Sequence, residues 1–203
     1  MATVSNDRLE GLVTAAKDLG ADDAKIIDSR DVVVDKRVRL KCAVPVCASY
    51  GRNLMCPPNL MSVEEFEDVL ALYEKALILQ IEADYDSTDK SKAHLNKDTC
   101  EELETATNTP KWEVKLHMLV NQIEAMAFKE GFYFAAGLIG GDCALCNECV
   151  TPRSGEPCRR PFEARPSMEA MGIDVMETCR RAGLPLSVSS SEKVRWTGIV
   201  LLD

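Results

Sequence analysis

The sequence predicts an α/β or α+β fold: a mixed sheet flanked by helices, with two adjacent cysteine-rich loops set into it. Three observations carry this reading. Runs of β-branched and aliphatic residues alternate along the chain with segments of helical periodicity. Seven of the nine cysteines fall in two tight groups, one in each half, and each group follows a strand-like run. No internal repeat divides the chain. Its 203 residues are long for one domain and short of two ordinary ones, so residues 1–203 read as a single domain. An apolar content of 46% supports a packed core without help from metal.

Ser5 or Asn6 caps a first helix whose apolar positions are Leu9, Leu12, Val13 and Ala16, and Gly20 ends it. Ala24–Ile27 and Val32–Val34 read as short strands around a turn at Ser29-Arg30-Asp31. Pro45, Gly51, Pro57 and Pro58 then make the first cysteine group an irregular loop. Ser62-Val-Glu-Glu65 is a capping box that starts a helix through Phe66, Val69, Leu70 and Tyr73. Ala76–Ile81 reads as a buried strand, and residues 84–108 as a polar surface excursion. Thr109 with Pro110 opens the next helix. Its stripe is Leu116, Leu119, Val120, Ile123, Met126 and Ala127, and Gly131 stops it. Phe132–Ile139 reads as a strand delivering the chain to the second cysteine group. Two short helices follow, at Ser167 and at Asp174, the second closed by Gly183. Val194–Leu202 is a final strand.

The second group, Cys143-x2-Cys146-x2-Cys149, carries the strongest chemical signal. Each iron of a [4Fe–4S] cube needs one thiolate. Two intervening residues let a curled loop reach three corners, as in the bacterial ferredoxin pattern. The fourth thiolate is Cys56, followed by Pro57, or Cys158, which is closer in sequence. The backbone N–H groups of Gly140 and Gly141 are candidates to bond the sulfides. The first group, Cys42-x4-Cys47-x8-Cys56, is less specific alone, but three thiolates within fifteen residues still suit one metal centre. Together the cluster loops, 42–58 and 141–161, offer seven thiolates where two fully ligated cubes require about eight. One site therefore has a corner without a cysteine. That site is expected to be Cys42, Cys47 and Cys56, because Cys158 completes the second group locally.

Zinc is the alternative metal. It prefers paired hooks giving two ligands each, and three consecutive thiolates leave one in excess. The two histidines, His94 and His117, are remote from both groups and read as surface residues. Cys100 and Cys179 read as ordinary cysteines. Arg159, Arg160, Arg165, Arg180 and Arg181 make the region after the second group basic. They either tune an anionic centre or are simply solvated. No phosphate-binding or dinucleotide motif and no nucleophile elbow is present, and no catalytic residue suggests itself.

A net charge of −9 argues against a nucleic-acid partner. No signal peptide is evident, and the most apolar stretch is shorter than the about 20 residues a membrane span needs. A cytoplasmic location is expected, where clustered cysteines serve as metal ligands in preference to disulfides.

With these spacings, and with Gly141-Asp142 before Cys143 and the segment Arg165-Pro-Ser-Met-Glu-Ala-x-Gly172-Ile-Asp-Val, the chain resembles a family of uncharacterised "predicted metal-binding" proteins. They occur in anaerobic bacteria and methanogenic archaea and share a domain of unknown function. The resemblance covers nearly the whole chain. It implies metal binding by Cys42, Cys47, Cys56, Cys143, Cys146, Cys149 and Cys158, an anaerobic setting, and no particular reaction. It gives Arg165–Ala170 no ligand role.

Two functions are therefore expected. One is an iron–sulfur protein with one or two [4Fe–4S] clusters, serving electron transfer or a redox accessory role with a partner protein or small molecule. The other is a cluster-dependent enzyme that uses an open corner on a small molecule or cofactor. A structural zinc protein is third.

Overall fold

The structure is a computed structural model and describes residues 6–83, 109–186 and 194–203. The predicted excursion at 84–108, with His94 and Cys100, and the predicted Ser5 cap lie outside the described residues.

The chain forms one four-stranded sheet with helices on both faces. In chain order the elements are α1 (Asn6–Asp18), β1 (Asp23–Asp28), α2 (Lys36–Ala43), α3 (Val63–Leu70), β2 (Lys75–Ala83), α4 (Thr109–Lys129), β3 (Ala136–Ile139), α5 (Val175–Ala182) and β4 (Val194–Leu202). Short 3-10 turns lie at Ser29–Asp31 and Glu169–Met171. The strand order is β1-β2-β4-β3 and every pair is antiparallel. Of the two classes expected, the arrangement is thus α+β. The only parallel contact among the described residues is an isolated bridge between Ile139 and Ser167.

Period-two alternation sorts the strand residues between two cores. Leu77, Leu79, Ile81, Ile139, Val200 and Leu202 face α1 and α4, meeting Leu9, Leu12, Leu116, Val120 and Ile123. Ala76, Ile78, Leu138, Ile199 and Leu201 face the other way, meeting Phe66 and Leu70 of α3, Met168 and Met171, and Cys179 and Ala182 of α5. With both faces covered, β2 reads as a nearly unbroken apolar run. Its one fully buried polar residue, Gln80, donates to Thr197 Oγ1 and the Pro185 carbonyl, each at 3.2 Å. Cys179 lies buried beside this pair.

The helix signals hold in detail. Gly20 ends α1 at φ +103°, with Ala21 N–H reaching back to the Ala16 carbonyl. The capping box of α3 is complete: Glu65 N–H donates to Ser62 Oγ at 3.1 Å, and Ser62 N–H to Glu65 Oε2 at 2.7 Å.

Three readings change. Val32–Val34 is not a strand. Its backbone is taken up by the C-terminal segment instead: Val33 N–H donates to Thr178 Oγ1, Asp174 N–H to the Val33 carbonyl, and Val34 makes a lone bridge to Ile173. The strand expected at Phe132–Ile139 begins only at Ala136, because Phe132 N–H closes the end of α4 on the Ala127 carbonyl. Helix α2 was not expected, yet Asp35 caps it by accepting from Arg37 N–H at 2.8 Å. Pro45 lies just past its end and does not oppose it. Among the described residues no helix is long and apolar enough to cross a membrane.

Candidate metal centre

Both cysteine loops gather at one edge of the sheet, beyond the end of β3. The second loop leaves β3 through Gly140, whose N–H donates to the Thr197 carbonyl at 2.7 Å. A Cβ at Gly140 would meet that same carbonyl oxygen at 2.7 Å, so glycine is what lets the loop lie against β4. Gly141 follows at φ +84°, and its N–H donates to the Glu169 carboxylate at 3.2 Å. The sequence suggested that these two N–H groups bond cluster sulfides. They are instead engaged by protein oxygens. The first loop starts on the last turn of α2 with Cys42. Cys47 N–H donates to the Cys42 carbonyl, and Gly51 N–H to the Pro57 carbonyl, which closes the loop on itself.

The two loops touch although they are far apart in sequence. Asn53 Nδ2 donates to the Cys143 carbonyl at 2.9 Å across 90 residues, and Ser49 Oγ donates to Asp142 Oδ2. Ser167 N–H donates to the Met55 carbonyl, and Met168 N–H to the Ile139 carbonyl. The Arg165–Ala170 segment is therefore a clasp between β3 and the first loop. Its short helix is a 3-10 turn that sets Ser167 and Glu169 against the cysteines.

Two cavities result. Cys42, Cys47 and Cys56 line the first, about 190 Å³, together with Ser49, Tyr50, Asp142, Ser167 and Glu169. Cys143, Cys146, Cys149 and Cys158 line the second, a void of about 20 Å³, with Asn53, Met55, Arg159 and Arg160. Cys158 thus sits with its own group, and Cys56 with the first. The cavities share a wall. Met55 faces one and Cys56 the other; Cys143 faces one and Asp142 the other. All eight described cysteines are free thiols. Among the described residues no three His, Cys, Asp or Glu side chains converge on the position of a single metal ion.

Without a cation Cys42, Cys56 and Cys143 hold their protons. Burial pushes Cys56 far up, and Asp142, Cys47, Cys42 and Cys143 add to it as negative neighbours. Burial pushes Cys143 up to about 11, and raises Cys42 as well. Glu169 is raised by burial too, against hydrogen bonds from Ser167 and Gly141. A cation in either cavity reverses this balance, since ligation requires the thiolate. Seven thiols in two rings, one ring flanked by carboxyls, form a soft donor set that suits an iron–sulfur centre or zinc.

Other expectations are corrected. His117 is not a surface residue but fully buried on α4, its Nε2 accepting from Arg165 N–H at 3.3 Å. Burial first, then Arg165, lowers its pKa to about 4. Of the five arginines, Arg159 and Arg160 alone line either thiol cavity. Arg165 forms a two-pronged pair with Glu124, at 2.7 and 2.8 Å, that ties the second loop's exit to α4. Arg180 and Arg181 both pair with Glu177 on α5. Cys179 lines neither cavity. Sequence reasoning missed Ser49, Asn53, Asp142 and Glu169. The Asp beside Cys143 was in view, but nothing in the spacing says that it turns toward the other group.

No curated protein and no solved structure matches the chain. A family model does match, over residues 25–202, which include both cysteine loops. Its description is "Predicted metal-binding protein (DUF2284)", and with most of its length matched the chain belongs to that family.

Proposed function

We propose that this protein holds two [4Fe–4S] centres side by side and passes electrons between a redox partner protein and a small molecule. The observation that carries this is the shared wall. Two thiol-lined cavities are separated by single peptide units, Met55–Cys56 and Asp142–Cys143. Such a centre, when bound, supplies one electron at a time. Cys143, Cys146, Cys149 and Cys158 hold the second centre. Cys42, Cys47 and Cys56 hold the first. Arg159 and Arg160 offset the negative charge of the second ring, and Cys56 is the buried thiol of the first. Free thiols in both rings suit a reducing cytoplasm, and oxygen-labile centres suit an anaerobic host.

A second reading is favoured by one observation. Among the described residues the first ring has three thiols, a larger cavity and no fourth cysteine. Such a centre has a corner at which a small molecule can bind, and the protein is then an enzyme acting there. Structural zinc is the third reading, and a four-thiol ring accommodates it.

Anaerobic purification with iron, sulfide and zinc analysis tests all three. Two centres give about eight irons and eight sulfides per chain, with the broad visible absorption of thiolate-ligated iron. Stoichiometric zinc without sulfide ends the iron–sulfur reading.

A further inference from the structure

We infer that Asp142 is the fourth ligand of the first centre, its carboxylate taking the corner that the cysteines leave open. The inference rests on the reading that a cluster sits among Cys42, Cys47 and Cys56.

The first cavity offers two carboxyl groups, Asp142 and Glu169. They are not equivalent. Glu169 is committed to the protein: Oε2 accepts from Gly141 N–H at 3.2 Å and from Ser167 Oγ at 2.9 Å. It is the post on which the Gly141 turn hangs. Asp142 accepts from Ser49 through Oδ2. That hydroxyl comes from the loop between Cys47 and Cys56, so it holds the carboxylate against the ring whose cavity Asp142 lines.

The backbone explains why Asp142 faces this way. Gly141 lies in the left-handed region at φ +84°, where a Cβ would also run into the Trp196 ring at 2.8 Å. The turn directs Asp142 into the first cavity and Cys143 into the second. In charge, three thiolates and one carboxylate equal four thiolates. The seven cysteines and Asp142 then make eight ligands for eight irons. A carboxylate is a harder donor than a thiolate and suits iron–sulfur centres less well. This corner is therefore the one most readily surrendered to an incoming small molecule.

The test uses the full chain, reconstituted anaerobically with iron and sulfide. Asp142→Ala, Asp142→Cys and Glu169→Gln are compared with the parent protein by iron and sulfide content, electron paramagnetic resonance and reduction potential. Asp142→Ala is expected to lose about one iron of eight and to show the signal of an oxidised three-iron centre. Asp142→Cys is expected to keep all its iron and shift the potential of one centre only. Glu169→Gln is expected to keep the parent's iron count. If Asp142→Ala matches the parent in iron, spectrum and potential, the assignment is wrong while the two-centre reading stands. If Asp142→Ala does not fold, the potential of Asp142→Cys decides: an unchanged value overturns the assignment, and a shifted one supports it. A parent protein that takes up no iron and sulfide overturns the underlying reading itself.

Discussion

The two cysteine rings differ in what surrounds them. The ring of Cys143, Cys146, Cys149 and Cys158 is nearly closed, has four thiols within sixteen residues, and is backed by Arg159 and Arg160. The ring of Cys42, Cys47 and Cys56 encloses far more space and is walled by hydroxyls and carboxyls. Its fourth quarter belongs to the other loop, through Asp142. One ring is thus self-sufficient in sequence, while the other is completed only by tertiary structure. A self-sufficient ring suits a centre that holds its charge in place. A composite ring suits a centre whose last ligand can be moved, because Asp142 responds to anything that shifts either loop.

The comparison breaks most visibly at the cysteines themselves. Cys146→Ser is expected to empty the second ring alone, removing about half the iron, and Cys47→Ser to affect the first alone. If either substitution empties both, the rings form one shared centre and the distinction drawn here disappears.

Next in size is Arg165→Leu. It leaves the Glu124 carboxylate, which also accepts from Gly137 N–H, without its cation at a site about four-fifths buried. Breaking such a pair is expected to cost about 3 kcal/mol in urea unfolding. The loss should fall with the second ring's integrity, because the pair anchors its exit. A cost below about 1 kcal/mol would place the pair among ordinary surface contacts.

His117 gives a pH test of the same anchor. Its folded-state pKa of about 4 lies below the ordinary 6.5, so the unfolded chain binds the proton first. Stability from this residue is fully present above pH 6.5 and is lost as pH falls through the window down to about 4, by about 3 kcal/mol in total. Metal-free protein isolates the effect. His117→Gln keeps an acceptor for Arg165 N–H and should flatten the stability curve in that window; an unchanged slope assigns it to other groups.

The smallest effect expected is that of Ser49→Ala. It removes one hydrogen bond to Asp142, about 1 kcal/mol. Chelator should then strip the first ring faster while the second is unaffected. Equal acceleration at both rings would mean that the serine braces the whole loop pair rather than the carboxylate.

Much of the fold was legible because its signals are local. The α3 capping box, the Gly20 and Gly183 stops and the β2 and β4 runs each depend on a few neighbouring residues. What was not legible depends on partners distant in the chain. Val32–Val34 has the composition of a strand, but Thr178 and Ile173 take its hydrogen bonds. His117 looked like a surface residue until α4 turned it inward toward Arg165. The site followed the same rule. The seven cysteines announce themselves by spacing, and Cys158 lines the cavity of its own group. Asp142 and Glu169 carry no such mark, since an acidic residue in a chain with 33 of them is unremarked until the fold aims it.

The sheet order has a consequence for how the site comes into being. Strand β3 carries the second loop, and among the described residues its one neighbour in the sheet is β4, which follows it in the chain. Gly140 is likewise tethered to Thr197. A ribosome that has passed Cys179 has made every cysteine of both rings, yet the strand that fixes one ring against the other is still to come. Until then the first ring lacks its fourth wall. Loading of the composite centre thus follows synthesis of β4, and a product truncated before Val194 carries all seven sulfur ligands without the place to use them together.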